Sequence, residues 1–352
     1  MSSPAEVLAA AEAAVRDGLT RIAAHAPGAI LPEDVLGERQ RLAGPGFVPR
    51  SAFRILQAAD GWLALSLPRE SDCELLPALI QGLVGEPWEA VASWLVTRPL
   101  EQAESRAVLL GLPAARIPRP GQAPRRPPVI AAAGGPRTPV ERPLVVDLSS
   151  LWAGPLAARL LGLVGARVLK VESVARPDGG SLGPPEFFRV MHAGHESKVI
   201  DFADRAALRG VLESADIVIE ASRPRALRQL GLRAEEFAAR GSVWVSITAY
   251  GRDDANAMRV GFGDDVAAGA GLVAYLGGVP RAIGDALGDP ITGVAAAAAA
   301  LDQLATGGGA VLDVSMHDVC CEVAARIGTA GGRGLSRRRR SGVSEGRRAP
   351  RS

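Results

Sequence analysis

The stretch that decides the fold is VVDLSSLWAGPLAARLLGLVGARVLKVE, residues 145–172. It joins a short apolar strand, LVVD (144–147), to a helix that follows Gly154-Pro155 and then to a second strand, ARVLKVE (166–172). The same alternation continues toward the C-terminus. Further strands are predicted at 216–220, 243–250 and 310–316, and further helices at 204–214 and 290–305. Short β-branched runs separated by helices predict an α/β fold, a Rossmann-like parallel sheet with crossover helices that binds ligands at the carboxyl ends of its strands.

The N-terminal part of the chain has a different pattern. Residues 5–25 have helical apolar spacing, RILQAADGWLALSLP (54–68) predicts a hairpin around Asp60-Gly61, and helical patterns follow at 75–84 and 88–95. These features predict a smaller α+β domain. Four segments are therefore expected: the smaller domain, a Pro/Gly/Arg linker, the Rossmann-like domain and a disordered basic tail, at 1–120, 121–142, 143–328 and 329–352.

Composition narrows the functional classes. The 352 residues carry a net charge of +2, but residues 333–352 alone hold eight Arg and one Glu, so the rest of the chain is acidic. A basic average that comes from a tail does not favour a nucleic-acid partner. Lys170 and Lys198 are the only lysines, a skew that points to a GC-rich genome rather than to function. No signal layout and no membrane-length apolar run are present, and three cysteines are too few for a disulfide framework; a cytoplasmic protein is expected.

Several common catalytic motifs are absent from the sequence. The four histidines (25, 192, 195 and 317) do not form a zinc-ligand pattern, and there is no G-x-S-x-G elbow or phosphate-binding G-x-x-x-x-G-K. No metal site is expected. The vicinal pair Cys320-Cys321 lies in an apolar helical stretch, which favours small buried thiols over redox chemistry.

The segment ALGDPITGVAAAAAALDQLA (286–305) places Asp289 directly before Pro290 at the head of a helix. Asp at the N-cap and Pro at the first helical position are a common helix start, and on the residues alone a cap is the favoured interpretation. A nucleophilic role is compatible with it, because a helix N-terminus favours the ionised carboxylate that nucleophilic attack requires.

Taken together, these segments resemble family III CoA-transferases, the group of formyl-CoA and carnitine CoA-transferases and α-methylacyl-CoA racemases. Seven segments follow the order and spacing of that family, and they are 145–172, 198–202, 215–232, 245–252, 261–272, 288–293 and 307–319. Residues 54–118 resemble the smaller domain of the family, which normally follows the strand–helix region but here precedes it.

The resemblance implies a reaction and a set of site residues. Asp289, in the G-D-x-x-x-G context, corresponds to the nucleophile, which carries CoA from an acyl-CoA donor to a carboxylic acid acceptor as an aspartyl-CoA thioester. CoA is then a substrate, and no permanently bound cofactor is implied. The positions that correspond to CoA contacts are Ser150, Trp152, Ala153, Ala221, Ser222, Arg223 and Arg225. Gly44–Gly46 corresponds to a glycine-rich loop that supplies oxyanion donors. A homodimer, interlocked as in the family, or a heteromer with a paralogue is implied.

Departures from the family pattern leave alternatives open. The segment 192–197 lacks the basic pair of the family, Ala221 replaces an Asn, and Arg223 and Arg225 fit a solvated loop as well as a phosphate contact. Phe262 stands where racemases have a His, so proton shuttling at an α-carbon lacks a partner and a racemase is disfavoured. The alternative to a transferase is a non-catalytic member of the family that binds acyl-CoA or dimerises. A CoA lyase or isomerase on the same scaffold is a third hypothesis.

Overall fold

The computed structural model describes residues 1–44, 52–82, 85–119, 122, 129–252 and 255–327. The helices in chain order are α1 (Pro4–His25), α2 (Glu38–Ala43), α3 (Glu70–Glu74), α4 (Leu76–Ile80), α5 (Pro87–Leu95), α6 (Leu100–Leu109), α7 (Ala153–Leu163), α8 (Pro185–Met191), α9 (Arg205–Glu213), α10 (Pro224–Gln229), α11 (Ala234–Ala239), α12 (Gly263–Gly269), α13 (Gly288–Ala305) and α14 (Met316–Arg326). The strands are β1 (Phe53–Gln57), β2 (Trp62–Ser66), β3 (Ala114–Arg116), β4 (Val129–Pro136), β5 (Leu144–Asp147), β6 (Arg167–Ser173), β7 (Glu196–Ile200), β8 (Ile217–Glu220), β9 (Val243–Thr248), β10 (Val273–Leu276), β11 (Val279–Ala282) and β12 (Gly308–Ser315).

The main sheet of the described residues has the strand order β4-β12-β9-β8-β5-β6-β7. Strands β12 to β7 run parallel, with helices in the crossovers, so the predicted α/β fold is confirmed. The central strands β5, β8 and β9 are mostly apolar and buried because parallel strands are covered on both faces. The carboxyl ends of β5, β8 and β9 meet at one edge of the sheet, where the family resemblance places the site.

Strand β4 lies inside the segment that was expected to be a linker. It pairs antiparallel with β12 and forms one edge of the main sheet. A Cβ on Gly134 would lie 2.2 Å from the Ala238 carbonyl oxygen, so only small residues fit between this strand and α11. The prediction that residues 121–142 lack regular structure is therefore wrong over β4. Its run of Ala and Gly has no hydrophobic periodicity, because contact with a helix backbone requires small side chains rather than large apolar ones.

The predicted hairpin is confirmed as β1 and β2, which pair antiparallel, and β3 adds a third strand. Helices α3–α6 surround it, and its core includes Leu63, Leu65, Leu76, Leu79 and Leu95. The helix predicted at 75–84 is shorter than expected: α4 covers Leu76–Ile80, and residues 83 and 84 lie outside the described ranges.

Helix α1 does not pack in the core of the hairpin, although the sequence grouped both in residues 1–120. Its buried residues Val7, Ala11 and Ile22 belong to the same hydrophobic cluster as α7 and α13 of the main sheet. The division into four segments otherwise stays a prediction, and the basic tail at 329–352 lies outside the described residues. None of the helices in the described part of the chain combines the length and apolar composition that crossing a membrane requires.

Candidate active site at the N-terminus of helix α13

The Asp289 carboxylate lies where three helices begin. It accepts hydrogen bonds from the backbone N–H groups of Ala153 and Gly263, the first residues of α7 and α12, and Asp289 itself is the second residue of α13. The N-cap of α13 is Leu287, so the carboxylate does not cap its own helix. Backbone N–H groups at helix starts have no partner within their own helix and favour an anion. The helix-cap interpretation is therefore wrong: the carboxylate accepts N–H groups from the starts of two other helices and not from its own helix.

Glycines make this convergence sterically possible. A Cβ on Gly288 would lie 2.9 Å from the Gly263 carbonyl oxygen, and a Cβ on Gly293 would lie 2.6 Å from the Ala153 carbonyl oxygen. A Cβ on Gly263 would lie 2.2 Å from Asp289 Oδ2. The two glycines of the G-D-x-x-x-G motif therefore bring α13 against the starts of α12 and α7, and Gly263 leaves room for the carboxylate.

Burial and nearby charges set the acidity of Asp289. Burial raises the pKa of Asp289 to about 6, the cation of Arg39 and the two N–H donors oppose that rise, and the anion of Asp285 adds to it. Arg39 lies on α2, with its Nε 3.5 Å from Asp285 Oδ2 and its guanidinium 5.4 Å from the ring centre of Trp152. The residue as a whole is only half-buried. With a pKa of about 6, its carboxyl group is mostly ionised at neutral pH.

A second carboxyl group lies two residues into α12. Asp265 is fully buried, and its Oδ1 accepts hydrogen bonds from Ser66 Oγ (2.7 Å) and from the Phe262 N–H (3.0 Å). Burial raises the pKa of Asp265 to about 7, and the charge of Asp289 contributes to the rise. Because Ser66 ends β2, this bond ties the hairpin of β1 and β2 to the helix that donates an N–H to Asp289.

A known protein family matches the C-terminal part of the chain. The model of CoA-transferase family III matches residues 143–352, which is more than half of the chain. This chain belongs to CoA-transferase family III. It is 32% identical to a probable fatty acyl-CoA transferase of Mycobacterium tuberculosis over 52% of each chain. It is also 32% identical to the succinyl-CoA:glutarate CoA-transferase of Mus musculus, over 51% of this chain and 45% of that protein. The chain spans about half the length of the curated relatives it matches.

One solved structure is similar over part of the chain. A CAIB/BAIF family protein from Brucella suis aligns with 29% sequence identity and a TM-score of 0.49, over 57% of this chain and 58% of that chain.

The positions that the sequence predicts as CoA contacts lie near the ends of two neighbouring strands, β5 and β8. Ser150 is exposed between β5 and α7, and Ala153 is buried and contributes its N–H to Asp289. Trp152 is only 2% exposed, and its ring packs edge-on against Phe187 with ring centres 5.2 Å apart. The Trp152 ring therefore supports the loop from inside the protein. The roles of these residues in CoA binding stay predictions.

The second loop follows β8, which neighbours β5 in the sheet. Ala221 and Arg223 are exposed there, and Arg225 is exposed on the first turn of α10. Ser222 donates from its N–H (2.9 Å) and its Oγ (2.7 Å) to Glu220 Oε2. Exposed arginines at this edge are compatible with the predicted phosphate contacts and equally with a solvated loop. Gly44 follows α2, the helix of Arg39, as its C-cap, whereas residues 45 and 46 lie outside the described ranges.

The sequence analysis did not identify four residues of the site: Arg39, Ser66, Gly263 and Asp265. Gly263 and Asp265 lie within a family segment that was recognised, so their motif was a usable signal. Arg39 and Ser66 lie outside the seven family segments, far from Asp289 in the sequence. Cys320 and Cys321 are buried, as expected, and burial raises the pKa of the Cys320 thiol. Within the described ranges, no group of three or more His, Cys, Asp or Glu residues is arranged to hold a metal ion.

Proposed function

We propose that this family III chain transfers CoA from an acyl-CoA donor to a carboxylic acid, with Asp289 as the nucleophile. The observation that carries the proposal is the half-buried Asp289 carboxylate, which accepts the N–H groups of Ala153 and Gly263 at the carboxyl edge of the sheet. The names of the relatives as CoA-transferases support the same reaction class. CoA is a substrate in this scheme, and no permanently bound cofactor takes part.

The steps balance without a net proton. A carboxylate oxygen of Asp289 attacks the thioester carbon of the donor, the C–S bond breaks, and a mixed anhydride and CoA thiolate form. The thiolate attacks Cγ of Asp289, which releases the donor acid and leaves an aspartyl-CoA thioester. The acceptor carboxylate attacks Cγ and expels the thiolate, which then attacks the carbonyl of the acceptor, forming the new acyl-CoA and restoring Asp289.

The environment of Asp289 suits this chemistry. A carboxylate with a pKa near 6 is more basic than an exposed one, and therefore a better nucleophile, yet it is ionised at neutral pH. Backbone N–H donors at the site can stabilise oxyanions that form at Cγ, and a donor of this kind is typically worth about 3 kcal/mol. Phe262, at the position of the racemase His, offers no proton, so transfer is favoured over racemisation.

The proposal extends to partners and location. We expect CoA to lie over the loops that follow β5 and β8, near Ser150 and the exposed pair Arg223 and Arg225. A second copy of the chain or a paralogue is the expected subunit partner, and the cytoplasm is the expected location.

The test is trapping of the covalent intermediate. The protein is incubated with a panel of acyl-CoA thioesters that includes succinyl-CoA, treated with hydroxylamine, and examined by peptide mass spectrometry. We expect a hydroxamate at Asp289 and none in Asp289→Ala. Asp302→Asn, which changes an exposed carboxylate on the same helix, is the matched control and should react normally.

Two results would contradict the proposal. An adduct that forms equally in Asp289→Ala would remove the assignment of the nucleophile. Binding of acyl-CoA by calorimetry without any adduct would favour the non-catalytic, acyl-CoA-binding alternative.

A further inference from the structure

Lysine is rare in this chain, and one of its two lysines is buried. Lys198 is exposed on the edge strand β7, whereas the Lys170 side chain is only 4% exposed on β6. A compositional preference for Arg explains why lysines are few. It does not explain why one remains in the interior, where a charge is costly unless it is paired.

The ammonium group of Lys170 has three oxygen partners. Its Nζ lies 2.9 Å from Asp178 Oδ2 and 3.7 Å from Asp147 Oδ2, and it donates a hydrogen bond to the Ser149 carbonyl oxygen. A compact ammonium directs three donors to separate acceptors, whereas the planar guanidinium of Arg is larger and directs its donors differently. The geometry therefore accounts for a lysine at this position.

The acidic partners of Lys170 hold the backbone of the loop between β5 and α7. Asp178 Oδ1 accepts the N–H groups of Leu151 (2.9 Å) and Gly180 (2.8 Å). Asp147 Oδ1 accepts the N–H of Ser149 (2.8 Å). Burial acts to raise the pKa of Asp178, but the Lys170 charge and these N–H donors outweigh it, so the pKa lies below its usual value.

The loop needs such support because Leu151 has φ = +73°, in the left-handed region that non-glycine residues rarely adopt. Two residues later, Ala153 begins α7 and donates its N–H to Asp289. The direction of that N–H depends on the path of the loop through Leu151. The hydrogen bonds that Asp147 and Asp178 accept from the N–H groups of Ser149 and Leu151 therefore fix the backbone that leads to Ala153.

We propose that Lys170 and Asp178 are positioning residues, which hold residues 149–151 so that the Ala153 N–H points at the Asp289 carboxylate. Neither residue touches the substrate in this role. The proposal rests on the function assigned above to Asp289.

The ionisable groups that face Asp289 come from four places. They are Arg39 on α2, Asp285 before α13, Asp265 on α12 and Cys320 on α14. His192 faces the other side of the cluster, with Nε2 3.8 Å from Asp178 Oδ2. Substitutions at Lys170 and Asp178 leave all of these groups in the chain. The two substitutions remove charges of opposite sign, so an alkaline shift of the Asp289 midpoint in both variants reports on the loop and not on the lost charge.

The experiment compares Lys170→Met and Asp178→Asn with Lys198→Met, the matched control on the edge strand. The rate of adduct formation at Asp289 is measured between about pH 5 and about pH 9, with succinyl-CoA or the panel member that reacts fastest. Backbone amide exchange of the peptide around 148–156 is followed by mass spectrometry. Displacement of one donor by about 1 Å can cost about a hundredfold in rate. We expect a loss of that order in Lys170→Met, an alkaline shift of the pH midpoint, and faster exchange in the loop.

Each outcome bears on the proposal. A slower reaction with an unchanged pH midpoint would overturn it, because general loss of structure lowers the rate without changing the titration of Asp289. Unchanged rate and exchange would overturn it as well. If Lys170→Met does not fold, Asp178→Asn decides: an amide NH2 would face the Lys170 ammonium in place of Asp178 Oδ2, which breaks the ion pair, and the same alkaline shift and faster exchange are expected. If the wild-type chain forms no adduct, the nucleophile assignment fails, whereas faster exchange in the variants still supports the loop-holding role.

Discussion

The pKa of Asp289 is set by opposing contributions from burial and from its neighbours. Burial favours the neutral acid, while the Arg39 cation and the N–H groups of Ala153 and Gly263 favour the carboxylate. The folded-state pKa of about 6 lies above the ordinary value of 3.8, so the folded protein holds this proton more tightly than the unfolded chain. The contribution of Asp289 to stability is therefore fully present below pH 3.8 and is lost as the pH rises through about 6.

Arg39→Met should raise the pKa of Asp289, because it removes the largest contribution that stabilises the carboxylate. The pH profile of adduct formation should then move to the alkaline side, with a slower reaction near pH 6 and recovery at higher pH. Hydroxylamine trapping across the pH range measures the shift. Arg41→Met, an exposed change on the same helix, is the control and should keep the wild-type midpoint. An unchanged midpoint in Arg39→Met would show that its charge does not act on Asp289.

At the scale of elements, the site is a contact between helix starts that glycines permit. Helix α13 approaches α12 at Gly288 and α7 at Gly293, and at both points the backbone leaves no room for a Cβ. The spacing within G-D-x-x-x-G thus has a geometric reason: one glycine on each side of Asp289 allows one donor helix to reach the carboxylate. The Ala-rich remainder of α13 packs in the same core.

Gly293→Ala should push α13 away from α7, because the new methyl group would lie 2.6 Å from the Ala153 carbonyl oxygen. We expect a loss of about 1–3 kcal/mol in the free energy of unfolding, as for other overpacked interiors, together with loss of the Asp289 adduct. Gly210→Ala is the control, since its position in α9 has open space and Ala favours helix by about 0.5–1 kcal/mol. Urea unfolding and adduct trapping test both variants. The same free energy of unfolding and the same yield of adduct in the two variants would contradict the close-contact explanation.

At the scale of the whole molecule, the N-terminal helix α1 packs in the hydrophobic core of the main sheet, although it lies far from the sheet in the sequence. Helix α1 buries Val7, Ala11 and Ile22 in the core that contains α13. At the surface, Asp17 pairs with Arg326 of α14 at 2.7 Å, and His25 pairs with Asp302 at 2.8 Å. The region before β4 therefore contributes to the large core and, through Arg39, to the site.

Ile22→Ala tests this arrangement. The side chain is fully buried, so its truncation should lower the free energy of unfolding of the core around the main sheet by about 2–5 kcal/mol. Leu109→Ala, at a position that is 86% exposed, should change it by less than about 0.5 kcal/mol. Amide exchange in β8 and β9 provides the readout. Equal protection in the two variants would mean that α1 is not part of the core of the sheet.

Local patterns predicted those elements whose residues carry a local signal. Strands β5, β8 and β9 are apolar runs and were predicted to within two residues, and the hairpin of β1 and β2 follows from its Asp60-Gly61 turn. Strand β4 was missed because its small residues have no periodicity. The position of α1 was also missed, because an amphipathic pattern shows that a helix has a buried face but not which core covers it.

The sequence by itself determined the α/β class, the family and the aspartate in its glycine motif, because each depends on residues that are close together along the chain. Only the tertiary structure decided what acts on that aspartate. Arg39, the Ala153 N–H, Gly263 and the Lys170–Asp178 pair reach it or its loop from separate elements. The physical reason is that the pKa and reactivity of a carboxyl group depend on burial, charge and donors in space, and these are set by how the elements pack.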